Sequence, residues 1–225
     1  PGVAESTRQL VLNVIREHKY QPGILSRSLV SQFSQLIGVV IPDLRNPFFP
    51  EIIAGLTAEL DGHDYFILCH DTARSSENEL RTVEKLLEYE LAGFVFAGVN
   101  GDHGLTAIRK VQEAGKVIVT IGEVPGARTH GVRFRDREGT RLATEYLIER
   151  GHTRIALLTG PPTLISTKEK AFGFVEALIE NAIDFQESML VNAAGLADEG
   201  YQAAREMLSR ADSRPTAVVC FSDLV

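Results

Sequence analysis

Apolar and polar residues follow one another along this chain in two rhythms, one of strand length and one of helical period. Eight short runs are almost wholly apolar: LIGVVI (36–41), YFILCH (65–70), AGFVFA (92–97), VIVTI (117–121), GVRF (131–134), RIALLT (154–159), SMLVN (188–192) and TAVVCF (216–221). Helical patterning fills the gaps at 48–62, 75–90, 104–114, 137–150, 167–180 and 197–210. Leu80, Val83, Leu86 and Leu87 form one apolar stripe, and Leu142, Ala143, Tyr146 and Leu147 form another. GDHG (101–104) reads as a turn before its helix. Strands that are apolar throughout are covered on both faces, so the pattern predicts an α/β fold of parallel sheets with helices on either side.

The alternation divides into 36–134 and 135–225, which predicts two doubly wound lobes. Such lobes place a ligand cleft at the carboxyl ends of their strands. There is no internal sequence repeat, so the halves are related by architecture only.

The segment ahead of the first strand has a different character. Residues 20–49 read YQPGILSRSLVSQFSQLIGVVIPDLRNPFF. Pro22 marks a helix start, because a residue without an N–H costs least in the first turn. Arg27, Ser28 and Leu29 follow on a piece too short to hold a helix alone in water. A marginal basic helix of this kind is expected to form against a partner, and the expected partner is a nucleic acid.

This stretch resembles the hinge and first core strand of the LacI/GalR (lactose-repressor) family of bacterial transcription regulators. Thr7 to Pro22 is similar to the last helix of that family's DNA-binding headpiece. DREGTRLATEYLIERGHTRIALLTGP (136–161) is similar to its crossover into the second subdomain, and KAFGF (170–174) and CFSDLV (220–225) match two further landmarks. The motifs occur in the family's order along nearly the whole chain. The resemblance implies a periplasmic-binding-protein-like core (36–134 and 135–225) preceded by a headpiece remnant and hinge (1–35). It also implies a cytoplasmic homodimer on operator DNA, with a small-molecule effector between the lobes. The dimer surface is expected to include helix 48–62 and the apolar face of 75–90. The headpiece likeness starts at the end of the recognition helix, and the family continues past the position of Val225. Under-built sheets with exposed edges are therefore expected.

The same resemblance gives roles to particular residues. Leu29 matches the family's minor-groove wedge, and Arg27 and Ser28 would contact phosphate and sugar. Asn46 is expected to cap the first core helix. Phe48 and Phe49 point about 100° apart on it, so one packs inward and the other faces the cleft. Ser166 is expected to cap a helix and to reach ligand. Lys170 stands where the family has an arginine, keeping the charge without the bidentate fork. Asp223 follows a strand at its carboxyl end and would accept ligand hydroxyls. Asp136 heads a helix, so capping explains it and cleft contact is secondary. Gly195 falls where the family has a stacking aromatic, which disfavours a purine. These groups suit a sugar, a sugar acid or a sugar phosphate.

Charge and composition narrow the alternatives. From Pro1 to Phe33 there are four basic residues and two acidic ones, a local charge of +2 that leaves −9 for the rest of the net −7. An acidic body argues against indiscriminate nucleic-acid binding. No apolar run approaches the ~20 residues that cross a bilayer, and the leading residues lack a signal-peptide pattern. Cys69 and Cys220 are expected to be buried thiols in a reducing compartment. No cofactor or metal is expected, since the six histidines show no metal-ligand spacing and no nucleotide-binding or hydrolase motif occurs. A sugar-converting enzyme would need a catalytic dyad that the chain does not offer. A periplasmic-type solute receptor is the other reading, and it leaves residues 7–33 unexplained.

Overall fold

The computed structural model describes residues 3–20, 34–122, 124, 126–209 and 214–225. Arg27, Ser28 and Leu29 lie outside them. Helix α1 spans Glu5–Glu17, shorter than the expected 7–22, and buries none of its residues.

Strands β1 (Leu36–Ile41), β2 (Phe66–Asp71), β3 (Gly93–Ala97), β4 (Val117–Ile121) and β5 (His130–Val132) form the first sheet, in the order β2-β1-β3-β4-β5. Strands β6 (Ile155–Thr159), β7 (Leu190–Asn192) and β8 (Ala217–Cys220) form the second, in the order β7-β6-β8. Every pairing is parallel. The two lobes predicted from the pattern are therefore present, with strand limits shifted by a residue or two.

In the first lobe, alternate residues of each strand serve opposite layers. Val39, Ile41, Val95 and Ala97 face α2 (Phe48–Leu60), which contributes Phe49, Ile52, Ile53 and Leu56. Val40, Phe94, Phe96 and Ile118 face α3 (Ser76–Leu87) and α4 (Gly101–Glu113). Ser75 caps α3 by accepting from the Asn78 N–H at 3.2 Å. Val83 and Leu86 of α3 are buried in the lobe's own core. That stripe is spent inside the lobe, which corrects its expected use as a dimer surface. GDHG is the first turn of α4 rather than a turn before it. A Cβ at Gly104 would lie 2.7 Å from both Glu79 Oε1 and Val99 Cγ1, so the helix can dock there only as glycine.

In the second lobe, α5 (Asp136–Glu149) and α6 (Ile165–Glu180) cover one face of the sheet and α7 (Ala197–Ser209) the other. α5 and α6 meet so closely that a Cβ on Gly173 would overlap the carbonyl oxygen of Arg137. Only small side chains fit this seam, and α5 turns Thr140 and Thr144 into it. Leu142, Ala143 and Tyr146 consequently face solvent, against expectation, and the Arg150 guanidinium lies 3.4 Å from the Tyr146 ring centroid.

Both cysteines are exposed and free, which corrects the expectation of burial. Each lies on an edge strand, β2 or β8, with no further strand paired to its outer side among the described residues. Phe66 and Leu68 of β2 are exposed for the same reason.

Glu79 is the one charged side chain among the largest fully buried ones. Its Oε2 accepts from the Asn100 backbone N–H at 3.1 Å and from Asn100 Nδ2 at 2.8 Å. Glu79 Oε1 and Asn100 Oδ1 have no hydrogen-bond partner among the described residues. Burial pushes the carboxyl up to about 7 from its ordinary 4.5, against the lowering effect of the two Asn100 donors. The folded state therefore holds a proton that the unfolded state has released over this interval. Stability is highest below the unfolded value and falls as pH rises through the folded one, by roughly 3 kcal/mol in all. Urea denaturation should show the wild type losing this stability between about pH 4.5 and pH 7, with Glu79→Gln markedly flatter. A wild-type-minus-variant difference that does not change with pH would refute the assignment.

Candidate functional site

The carboxyl ends of both sheets open on a cavity of about 1000 Å³ between the lobes. Asn46, Phe48, Phe49, Asp136, Ser166, Lys170 and Asp223, the seven positions singled out from the sequence, all line it.

On the first lobe, β1 ends in Pro42 and Asp43, and the chain turns sharply. Asp43 is almost fully buried, and its Oδ1 accepts from the Arg45 backbone N–H at 3.0 Å and from Arg45 Nε at 2.9 Å. Its Oδ2 takes Arg45 Nη2 at 2.7 Å and meets Arg74 Nε at 3.1 Å. The Arg45 hydrogen bond outweighs burial and holds this carboxyl below its ordinary range. Asn46 Oδ1 accepts from the Phe48 N–H at 3.0 Å, while Pro47 occupies the N-cap position. Asn46 thus closes the turn one residue before the cap, which modifies the expected role. Phe49 packs on the sheet, and Phe48 stays 45% exposed at the cleft. The Phe48 ring meets Phe134 edge-on at 5.9 Å between centroids, so the two form an aromatic wall.

On the second lobe, Asp136 is the first residue of α5, with Arg135 at the N-cap. Leu164 is the N-cap of α6, and Ser166 lies inside its first turn without capping it. Neither Asp136 nor Ser166 is the cap expected of it, because each helix starts a residue or more earlier than its sequence pattern suggests. Lys170 sits one turn into α6 with its ammonium group committed. Nζ donates to the Phe221 carbonyl oxygen at 2.8 Å, lies 3.5 Å from Asp136 Oδ1, and stands 4.1 Å from the Phe221 ring centroid. The same ring leans on Gly160, where a Cβ would come within 2.6 Å. Asp223 is exposed to the cleft and has no hydrogen-bond or ion-pair partner among the described residues.

Several lining residues escaped the sequence reading. Phe134 and Phe221 supply aromatic surface that the glycine at 195 does not. Arg74 follows β2 and reaches the other lobe, donating to the Ala194 carbonyl oxygen at 2.8 Å and to Glu199 Oε2 and Oε1 at 3.0 and 2.9 Å. Each partner shifts the other: Glu199 raises the Arg74 guanidinium, and Arg74 lowers the Glu199 carboxyl. The available signal was positional, since residues just past a strand's carboxyl end line such clefts. Among the described residues no group of three His, Cys, Asp or Glu could hold a metal ion, and no helix is long and apolar enough to cross a membrane.

Residues 34–225 match the family described as periplasmic binding proteins and sugar binding domain of LacI family. The chain is 30% identical over 225 residues to the HTH-type transcriptional repressor PurR of Aliivibrio fischeri, covering 99% of this chain and 66% of that protein. It is 27% identical over 224 residues to the HTH-type transcriptional regulator GalR of Escherichia coli, covering 99% and 64%. The chain thus spans just under two thirds of these curated relatives. Among solved structures it is similar to the transcriptional regulator CelR–cellobiose complex, with a TM-score of 0.72, 27% identity and coverage of 99% of this chain and 67% of that one. A LacI family transcriptional regulator from Enterococcus faecium with bound ribose matches with a TM-score of 0.70 and 25% identity, over 84% and 67%.

The bonds of Lys170 make it a strut between α5, α6 and β8. Removing it strands a half-buried carbonyl oxygen and a carboxylate, at a cost of about 1–3 kcal/mol. Lys170→Met should lower the free energy of urea unfolding by that amount. An unchanged unfolding curve would mean the ammonium is idle and available to an anion.

Proposed function

The chain belongs to the family of periplasmic binding proteins and LacI-type sugar-binding domains, and from that premise we propose that it is the effector-binding part of a transcription regulator, controlled by a neutral sugar. One observation carries the choice of ligand. The cations lining the cleft around Asp223 are already paired, Lys170 with Asp136 and Arg74 with Asp43 and Glu199, while Asp223 is unpaired among the described residues. A free acceptor beside an aromatic wall suits ring hydroxyls. An added phosphate or carboxylate would meet no unpaired counter-charge there and would face Asp223. The sugar acid and sugar phosphate considered from the sequence are accordingly the weaker options.

The seven predicted effector residues then divide by role. Asp223 accepts ligand hydroxyls, Ser166 and the Asn46 amide donate or accept, and Phe48 stacks. Phe49, Asp136 and Lys170 hold the walls. A site built on hydrogen bonds to hydroxyls rejects analogues that lack them, because its polar groups are left unpaired. The regulator reading is favoured over a solute receptor because the curated relatives align over residues 1–33 as well as over the core. In this reading the protein is a cytoplasmic homodimer on operator DNA, with Leu29 as a minor-groove wedge and Arg27 and Ser28 on phosphate and sugar. Drawing the lobes together would change the spacing of the two hinges and so couple the cleft to DNA.

Three measurements test this. In a thermal-shift screen, neutral sugars such as cellobiose and ribose should raise the melting temperature where gluconate and glucose 6-phosphate do not. Calorimetry on the sugar found should then show Asp223→Ala weakening it about tenfold to a hundredfold, the worth of one charged hydrogen bond. Binding confined to the anions, or an Asp223→Ala affinity equal to wild type, would sink the assignment. For the DNA side, Leu29→Ala in protein carrying its operator-reading headpiece should weaken operator binding several-fold while sugar affinity stays the same. Equal operator affinity would remove Leu29 from the interface.

A further inference from the structure

One charged cluster in the cleft belongs to neither lobe alone. Arg74 sits at the carboxyl end of the first sheet and is bonded to residues 120 and 125 positions further along the chain. Its backbone is held in the left-handed region at φ 61, next to Ala73 at φ 52, a conformation that non-glycine residues seldom adopt. Two bonds hold that turn: Arg74 N–H to the Pro42 carbonyl oxygen at 2.7 Å, and Ala73 N–H to Asp71 Oδ1 at 2.7 Å. The near end of the guanidinium lies against Asp43, whose side chain is only 4% exposed. The far end forks onto both Glu199 oxygens. The receiving loop is also left-handed, with Ala194 at φ 51 and Gly195 at φ 102, which turns the Ala194 carbonyl toward Arg74.

We propose that Arg74 is a positioning residue for lobe closure, its fork onto Glu199 acting as a latch that sets the angle between the lobes and the width of the cleft. The consequence for effector affinity rests on the function proposed above; the latch itself does not depend on which sugar binds. Arg74 is only 21% exposed and spends its donors within the protein, so it acts on a ligand through geometry rather than through contact. The second lobe is also tied to the first by backbone alone, where Gly101 N–H donates to the Thr163 carbonyl oxygen at 3.1 Å and Asn100 pairs with Leu164. That tie carries no charge. Salt therefore acts on the latch and leaves the backbone tie alone.

The chain's two cysteines make the test direct, because one is exposed on each lobe. Nitroxide labels on Cys69 and Cys220 report the distance between the lobes by pulsed electron resonance, and small-angle scattering on unlabelled protein gives an independent reading. Glu199→Gln removes the charge at a side chain 35% exposed while keeping its size. The inter-lobe distance should shift to longer values and broaden in this variant. Wild type in 1 M salt, where the screening length is about 3 Å, should move the same way, and Glu199→Gln should no longer respond to salt. Arg74→Lys, which keeps the charge without the fork, should fall between. Identical distance distributions and scattering for wild type and Glu199→Gln would overturn the latch whatever the cleft binds. Failure of every sugar to bind, with distances shifting as described, would instead overturn the effector assignment and leave the latch standing.

Discussion

Parallel pairing is the constraint on which the rest of this molecule depends. Two parallel strands cannot be joined by a tight turn, so each must be followed by a crossover that returns the chain to its starting edge. Apart from the β4–β5 link the crossovers within each sheet run through helices, and these cover the sheet faces and leave little room for polar side chains along β1, β3 or β6. Polar chemistry is displaced to the carboxyl edge. Asp43 follows β1, Arg74 β2, Phe134 β5, Gly160 β6, Gly195 β7 and Asp223 β8, and all but Gly160 line one cavity. The cleft is thus the ordinary result of building two lobes from parallel strands and joining them with those edges facing.

Within the cleft, charge is handled by pairing. A guanidinium or ammonium drawn partly out of water loses hydration, and an unpaired one would be costly. Arg74 and Lys170 each meet a carboxylate, and Lys170 adds a carbonyl oxygen and a ring face. Asp223, exposed at the cavity wall, keeps its contact with water and has no partner among the described residues. The division between committed and free groups follows from exposure: the deeper groups are bonded, and the shallower one is left to recognise something else.

Much of this was legible in the sequence. The eight apolar runs mark the eight strands, although only β1, β3 and β6 are buried along most of their length. The cleft positions were legible because they sit just past those runs or at the starts of the following helices. Two kinds of information were not. Arg74 pairs with a residue 125 positions away, and nothing local to DTAR or ADEG distinguishes such a pair from two solvated charges. Edge position was equally hidden: YFILCH and TAVVCF read like central strands, yet β2 and β8 each close a sheet and expose their cysteines. On α5, the apolar residues at 142, 143 and 146 form a convincing stripe that faces outward. The close approach of α6 selects threonine on the inner side, and that seam is fixed by a glycine on another helix.

The glycine at 173 has a mechanical reach beyond its own contact. With no side chain between them, α5 and α6 are pressed backbone to backbone near Arg137, and such a seam cannot slide without collision. Asp136, Ser166 and Lys170 ride on these two helices and are carried as one stiff panel. Opposite them, Asn46 and Phe48 project from a single turn with solvent on one side. Variation in ligand preference can accumulate on that first-lobe turn at little structural risk. On the panel a change must be absorbed by two helices at once, so an engineered change of specificity belongs first on the first-lobe side of the cleft.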